Sequence, residues 1–164
     1  MIESYSLQWR VENVFWGWPK VAGTLLGAKT KAKNASTLDF RDQRSIYALY
    51  ADYDLVYVGQ TGAGEQRLFK RLKAHTKDHL SERWNRFSWF GTQWVTSQCL
   101  LSKDTAKLGA SVDQALNILE AITIAVSEPR LNLQRGSWGN SEKYFQAQDG
   151  RLLEDQDGDE DDDT

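Results

Sequence analysis

The segment 45–80 constrains the fold more than any other part of the chain, because two strand-like runs in it are followed by a helical repeat. The runs 45–50 and 55–59 are rich in Ile, Val and Tyr, which favour strands. Between them, the aspartates of the sequence ADYD (51–54) favour a turn. A Gly-rich stretch then ends the second run, and apolar residues recur with helical spacing from Leu68 onward. The segment therefore predicts a β-hairpin followed by a helix.

The register of this hairpin decides whether Tyr47 and Tyr57 share a face of the sheet. Side chains alternate between the two faces along a strand, so the effective loop must hold an odd number of residues for the tyrosines to lie together. Pairing Tyr50 with either neighbour of Leu55 meets this condition. Pairing Tyr50 with Leu55 itself sends the tyrosines to opposite faces unless a bulge intervenes.

Three short motifs together resemble those of the GIY-YIG nuclease family. They are Ser45-Ile46-Tyr47 in the first run, Tyr57-Val58-Gly59 in the second, and Arg71-Leu72 with His75 one turn further along the helix. Ser45 stands where the family has its first Gly, and Val58 stands where it has its second Ile. The resemblance covers roughly residues 45–140. It implies an α/β domain of the α+β type, with a small antiparallel sheet of about three strands flanked by helices.

The resemblance also implies a metal-dependent DNA endonuclease that hydrolyses a phosphodiester bond through an activated water. Tyr47 would be the general base, with Tyr57 in a supporting role. A phenol beside a metal-bound water and a cationic arginine would have its pKa lowered enough to take a proton. Arg71 would neutralise the phosphate as negative charge builds in the transition state, and His75 would contact the phosphate or a water.

Glu120 is the metal ligand that the resemblance assigns, and it is also unusual in its own right. It is the only charged side chain of the strongly apolar segment 116–126. A carboxylate partly removed from water needs a partner, which would be either Arg67 or Arg71, or a divalent metal ion. The resemblance favours Mg²⁺ or Mn²⁺. Asn132 stands where the family has a downstream asparagine that positions the glutamate or contacts the substrate.

The charge of the chain is unevenly distributed. The formal net charge is −3, but the segment 154–163 holds eight carboxylates and no cation. The rest of the chain carries 20 basic residues against 23 − 8 = 15 acidic ones, a net charge of +5. This mildly basic body suits a polyanionic partner such as DNA. The candidate nucleic-acid contacts are Arg67, Lys70, Arg83 and Arg86.

Composition excludes several other classes of protein. The single Cys99 excludes an internal disulfide and a thiolate-cluster zinc site. No apolar run approaches the length of a membrane span, and the first residues lack the pattern of a signal peptide. We therefore expect an intracellular, cytoplasmic protein without a membrane partner.

The remaining segments give a provisional domain plan. Residues 1–44 are expected to form an N-terminal extension, Trp-rich and then basic, in which the apolar pattern fits a strand or a helix. Residues 45–146 are the expected nuclease-like domain, with a third strand within 87–95. The acidic tail at 147–164 is expected to be disordered.

A second helix is predicted from about residue 111 to residue 126. Ser111 or Asp113 would cap its N-terminus. Its predicted core face comprises Val112, Leu116, Leu119, Ile122 and Ala125 or Val126.

Two other functions fit the same residues. The chain could be a catalytically inactive module of this fold that binds nucleic acid through Trp89 and Phe90 with Arg83 and Arg86. The Trp-rich N-terminus or the acidic tail could instead bind a protein partner or a second copy of the chain.

Overall fold

A computed structural model of the chain describes residues 1–61, 65–103, 111–127 and 136–154. The strands are β1 (Ser4–Arg10), β2 (Phe15–Trp18), β3 (Val21–Thr24), β4 (Leu26–Ala28), β5 (Thr37–Asp39), β6 (Ser45–Ala51), β7 (Asp54–Gln60), β8 (Arg86–Gly91), β9 (Glu142–Lys143) and β10 (Phe145–Gln146). The helices are α1 (Leu68–His75), α2 (Val112–Ser127) and α3 (Arg151–Glu154), and a 3-10 turn covers Val11–Asn13. No helix within these ranges has the length and apolar character needed to cross a membrane.

The fold is mixed α/β and is built around a five-stranded sheet with the order β7-β6-β8-β1-β9. The predicted hairpin is β6 and β7, and the predicted third strand is β8. β6 pairs antiparallel with both of the other strands. The expected sheet of about three strands is too small, because the sheet that contains the hairpin has five strands. The described residues hold ten strands in three sheets in all. The additional strands come mainly from the segment before the hairpin.

Residues 1–44 are an integral part of this fold rather than an extension. β1 lies between β8 and β9 in the central sheet, so its apolar pattern is that of a strand. A register shift at Gln8, whose φ is 56°, reverses the facing of the residues that follow it. Tyr5 consequently lies in the cluster around Phe90, whereas Trp9 lies in the core on the opposite face.

The two faces of the central sheet carry different cores. On β8, Trp89 belongs to the larger cluster together with Tyr47 and Leu72 of α1. The next residue, Phe90, belongs to a smaller cluster with Ile118 of α2. Because neighbouring residues of a strand point to opposite faces, α1 covers the Trp89 face and α2 covers the Phe90 face.

The start of α1 is fixed by hydrogen bonds to the segment before β6. The Leu68 N–H donates to the Gln43 carbonyl and the Phe69 N–H to the Arg41 carbonyl, each at 3.1 Å. These bonds satisfy donors that the first turn of a helix leaves without an intrahelical partner. Gln43 is itself buried, and its amide nitrogen donates to Ser4 Oγ at 2.9 Å. The helix is thereby tied to the beginning of β1 as well.

The predicted cap of α2 is confirmed, but its predicted core face is only partly correct. The Gln114 N–H donates to Ser111 Oγ at 3.2 Å. The residues that pack inward are Ile118, Ala121, Ile122, Ala125 and Val126, whereas Val112, Leu116 and Leu119 are exposed. The helix is apolar on nearly all sides, so its sequence alone did not select the buried stripe.

The described C-terminal segment is ordered and bonded to the N-terminal half. β10 pairs with β4, and Asp149 accepts a hydrogen bond from Thr24 Oγ1 at 2.7 Å. The expectation of a disordered tail is therefore wrong for residues 147–154. The rest of the predicted tail, residues 155–164, lies outside the described residues.

Candidate functional site

A bulge in the β6–β7 hairpin brings Tyr47 and Tyr57 to one face of the sheet. Tyr50 pairs with Leu55, and the register then shifts by one residue, which leaves Val56 as the extra residue of β7. Of the arrangements considered from the sequence, the bulged one is therefore confirmed. The two tyrosine rings lie with their centroids 6.2 Å apart.

Gly59 provides the space that the tyrosine pair occupies. It pairs with Tyr47 across the hairpin. A Cβ atom on residue 59 would lie 2.5 Å from Tyr47 Oη and 2.7 Å from Tyr57 Cε1, too close for any side chain. Glycine is required here by this close approach rather than by a turn.

α1 places Arg71 and His75 against the hydroxyl of Tyr47. The two residues are four apart and so share one side of the helix. Arg71 Nε donates to Tyr47 Oη at 3.3 Å, and His75 Nε2 lies 2.8 Å from the same oxygen. The His75 ring also lies 4.9 Å from the Tyr57 ring, centroid to centroid. We refer to Tyr47, Tyr57, Arg71 and His75 as the tyrosine cluster.

Asp78 contacts this cluster from the turn after α1, and sequence reasoning missed it. Its Oδ2 lies 2.7 Å from His75 Nδ1, and its Oδ1 accepts the Leu80 N–H at 2.8 Å. The only signal in the sequence was an acid three residues after a histidine at the end of a predicted helix. That spacing is common, and it does not show whether the histidine faces the core.

The buried position of Tyr47 determines the protonation state of its hydroxyl. Burial raises the pKa of Tyr47, and the neighbouring Arg71 guanidinium lowers it by less than burial raises it. The expected lowering of this pKa required a metal-bound water as well as an arginine, and Arg71 alone does not produce it, so Tyr47 is a neutral phenol near pH 7. Contact with Tyr47 in turn raises the pKa of Arg71.

The members of the tyrosine cluster differ in their access to solvent. Tyr47 and His75 are buried, whereas Tyr57 and Arg71 are partly exposed. A ligand arriving from solvent would therefore meet Tyr57 and Arg71 first, with the Tyr47 hydroxyl behind them.

Glu120 is not brought to the tyrosine cluster. It lies on α2, which covers the Phe90 face, whereas the cluster is on the Trp89 face. Its side chain is exposed, and Arg71, one of its two predicted ion-pair partners, bonds to Tyr47. Asn132 lies outside the described residues.

The tyrosine cluster does not fit the Mg²⁺ or Mn²⁺ ion that the resemblance implies. Mg²⁺ requires oxygen ligands, usually one or two carboxylates with waters. The acid found in contact with the cluster, Asp78, already bonds to His75 and to Leu80. Within the described ranges, no three His, Cys, Asp or Glu side chains are grouped so that they could hold a metal ion.

The predicted nucleic-acid contacts fall into two groups. One group lines a cleft beside α1 and comprises Arg67 and Lys70, together with Arg41 and Lys73, which were not predicted. The other group lies around the start of β8, where Arg83 is exposed and the Arg86 guanidinium stacks 4.7 Å from the centroid of the Tyr53 ring. The cleft also contains Asp42 and Glu65, so it is basic without being uniformly so.

Comparison with known proteins gives no relative for this chain. No family model, no curated protein and no solved structure matches it.

Proposed function

We propose that this chain is a GIY-YIG-like endonuclease that hydrolyses phosphodiester bonds in DNA. The observation that carries the proposal is the position of the Tyr47 hydroxyl, which contacts a cation, Arg71, and a base, His75. Phosphodiester hydrolysis requires both a proton acceptor for the attacking water and a positive charge beside the phosphate. The tyrosine cluster supplies both at one point.

The proton path follows from the hydrogen bonds of Tyr47. The phenol receives a hydrogen bond from Arg71, so its own proton is directed toward His75 Nε2. As the attacking water loses a proton to Tyr47, Tyr47 transfers its proton to His75. The net result is a protonated His75 and a hydroxide that attacks phosphorus. One P–O ester bond then breaks, and its leaving oxygen takes a proton from solvent. Tyr47 thus acts as a relay, which accords with its raised pKa.

Arg71 has the second role in this proposal. Its Nε donates a hydrogen bond to Tyr47 Oη. The other four N–H groups of the guanidinium remain, and their planar arrangement matches two phosphoryl oxygens. Its partial exposure leaves it accessible to a DNA backbone. The cleft with Arg67 and Lys70 lies along the same helix and would hold adjacent phosphates.

The one side chain to which the resemblance assigns a divalent ion, Glu120, lies on α2, across the sheet from Arg71. A metal ion held there would not reach a phosphate at the tyrosine cluster, so no step of this proposal is routed through it. The proton transfer from Tyr47 to His75 and the positive charge of Arg71 do not depend on that ion.

The test is cleavage of supercoiled and linear DNA in the presence of Mg²⁺, of Mn²⁺, or of EDTA. Replacing Tyr47 by Phe removes only the hydroxyl, and we expect a loss of about 100-fold or more in rate, the contribution typical of a positioned proton-transfer group. Tyr53→Phe is the matched control, because Tyr53 is 64% exposed on the hairpin turn. Wild-type protein that never cleaves DNA, or equal rates for the two variants, would refute the proposal.

Arg71 gives a second series in the same assay. We expect Arg71→Ala to lose about 100- to 1,000-fold in rate, as when one donor to a developing charge is removed. Arg71→Lys keeps the charge but loses the planar fork, so its rate should lie between the two. Glu120→Ala should keep the wild-type rate, because Glu120 lies across the sheet from the tyrosine cluster.

A binding module without catalysis is the second candidate, and the position of Glu120 favours it. A nuclease of this family would need that carboxylate near the phosphate, whereas here it lies on the helix that covers the other face. DNA binding that weakens with salt, without cleavage under any metal condition, would select this function. Ser45, which stands where the family has a Gly, is buried at the start of β6, and its Oγ is without a hydrogen-bond partner among the described residues.

A further inference from the structure

His75 is held at both ring nitrogens by partners of different chemistry. Its Nε2 lies 2.8 Å from Tyr47 Oη, and its Nδ1 lies 2.7 Å from Asp78 Oδ2. Its backbone carbonyl accepts the Trp84 indole N–H at 3.2 Å. The ring is buried, with 5% of its side chain exposed, so it does not exchange these partners for bulk water.

Asp78 is itself fixed in place. Its second oxygen accepts the Leu80 N–H at 2.8 Å, which orients the carboxylate toward the histidine. Burial opposes ionisation of Asp78, but the hydrogen bonds from Leu80 and His75 outweigh it, so the pKa of this carboxyl lies below its ordinary value. Asp78 is therefore an anion at neutral pH.

The charge of Asp78 determines which ring nitrogen of His75 carries hydrogen. An ionised carboxylate accepts hydrogen bonds and cannot donate them, so His75 Nδ1 must be the protonated nitrogen. The lone pair is then on Nε2 and faces the Tyr47 hydroxyl. Without an acceptor at Nδ1 the other tautomer becomes available, and Nε2–H would point a donor at Tyr47.

We propose that Asp78 is a positioning residue that fixes the Nδ1–H tautomer of His75 and thereby makes His75 the proton acceptor for Tyr47. In the step concerned, the Tyr47 O–H bond breaks and an N–H bond forms at His75 Nε2, while Tyr47 takes up the proton of the attacking water, so that Tyr47 ends as a neutral phenol and His75 as an imidazolium. Arg71 faces the Tyr47 oxygen during this transfer, and Asp78 faces the Nδ1–H of the imidazolium. The role of this step in DNA cleavage rests on the function proposed above, but the tautomer does not.

The charged and titratable groups around His75 come from three elements and from the turn after α1. Tyr47 approaches from β6, Tyr57 from β7, and Arg71 from α1 through its bond to Tyr47. Asp78 follows α1, and the neighbouring His79 acts on Asp78 through its charge. Among these groups, Asp78 is the one in contact with Nδ1.

The tautomer can be read directly by NMR, because the chain has only two histidines. In uniformly ¹⁵N-labelled full-length protein at alkaline pH, long-range ¹H–¹⁵N correlations distinguish a protonated ring nitrogen from an unprotonated one. We expect His75 to show the Nδ1–H tautomer in the wild type. Exposed His79 serves as the internal reference in every sample.

Asp78→Asn is the principal variant. Its Oδ1 can keep the Leu80 bond while an N–H₂ group replaces the oxygen that faces His75, so the fold is retained and a donor is placed against Nδ1. We expect His75 to change to the Nε2–H tautomer. Asp78→Ala removes the acceptor without adding a donor, and we expect a decrease in the Nδ1–H population. Asp54→Ala, which removes an exposed aspartate at the start of β7, should leave His75 unchanged.

The outcomes separate this inference from the proposed function. An Nε2–H tautomer in the wild type, or an unchanged His75 tautomer in both Asp78 variants, would overturn the role of Asp78 whatever the activity. If the tautomer changes as expected and DNA is not cleaved, only the nuclease function fails. If DNA is cleaved, Asp78→Asn should lower kcat by about 100-fold, in the range of a misdirected proton-transfer group, with DNA affinity nearly unchanged.

Discussion

At the scale of single residues, the position of the Tyr47 hydroxyl depends on a glycine as much as on the polar groups that it contacts. A Cβ atom at position 59 would overlap both Tyr47 and Tyr57, so Gly59→Ala must push at least one ring aside. Displacement by about 1 Å at a reacting group costs on the order of 100-fold in rate. We therefore expect Gly59→Ala to lose about 100-fold in DNA cleavage and to shift the His75 ring signals in NMR.

Gly150→Ala is the matched control for this prediction. A Cβ atom at position 150 would meet nothing within 4 Å, and the backbone there is not left-handed. This variant should keep wild-type activity and stability. Wild-type cleavage by Gly59→Ala with unchanged His75 signals would show that the tyrosine cluster tolerates a different spacing.

The sequence identified all four members of the tyrosine cluster but not every residue that contacts them. Tyr47, Arg71 and His75 were predicted because short motifs fix their spacing, and the structure brings them together. Asp78 was missed because a histidine followed by an acid is ordinary on a helix surface, and only the burial of His75 makes the contact informative. Glu120 was expected at the same site, but its position depends on which face of the sheet its helix covers.

At the scale of elements, the bulge at Val56 explains how a two-residue turn coexists with tyrosines on one face. Ala51 pairs with Asp54, so the turn itself has an even length. One extra residue in β7 restores the facing of Tyr57 toward Tyr47. The sequence allowed three registers, and no local feature selected among them.

Two single deletions in β7 test this register. Deleting Val56 removes the bulge and leaves Tyr57 aligned as before, so the hairpin becomes regular with the tyrosine cluster intact. Deleting Val58 shortens the strand between Tyr57 and Gly59, which turns Tyr57 to the opposite face. We expect the Val56 deletion to keep DNA cleavage within about threefold of the wild-type rate and the Val58 deletion to lose about 100-fold.

The two deletions are controls for each other, because both remove one exposed valine from the same strand. Far-ultraviolet circular dichroism and the His75 signals would show whether each variant folds. Loss of the tyrosine cluster in the Val56 deletion, or its retention in the Val58 deletion, would mean that the bulge does not set the register.

The helix α2 shows why the buried face of a helix cannot always be predicted from the sequence. Its length and its Ser111 cap were predicted, since both depend on local signals. Its buried side was predicted only in part, because apolar residues cover nearly the whole circumference and the packing of Ile118 against Phe90 is a tertiary contact.

At the scale of the whole molecule, contacts that are distant in sequence join the N-terminal strands to the described C-terminal segment 136–154. β1 pairs between β8 and β9, strands that come much later in the chain, and no local feature of the sequence indicates such a pairing. The same holds for Asp149, which accepts hydrogen bonds from Thr24 Oγ1 at 2.7 Å and from Arg151 Nε at 2.8 Å. Arg151 in turn stacks 4.1 Å from the centroid of the Phe15 ring.

Asp149 should therefore contribute to stability in a way that depends on pH. The hydrogen bonds from Arg151 hold the pKa of this carboxyl far below its usual range. A lowered pKa means that the stabilisation is complete above the ordinary carboxyl pKa of about 4 and declines as the pH falls toward the folded-state value. We expect Asp149→Asn to reduce the free energy of unfolding by about 1–2 kcal/mol at pH 7, as for hydrogen bonds to a charged group, and by less at pH 2. Urea denaturation at the two pH values measures the difference.

Glu12→Gln provides the comparison for this stability measurement. Glu12 forms an ion pair with Arg10 in which both side chains are more than half exposed, so its removal should change stability by less than about 0.5 kcal/mol at either pH. If Asp149→Asn changed the free energy of unfolding as little as Glu12→Gln does, or if its effect increased as the pH fell, Asp149 would not join the C-terminal segment to β3. If the predicted pH dependence is found, the segment 145–154 unfolds together with the part of the fold that holds the tyrosine cluster. Deleting this segment should then destabilise the tyrosine cluster, although the segment does not contact it.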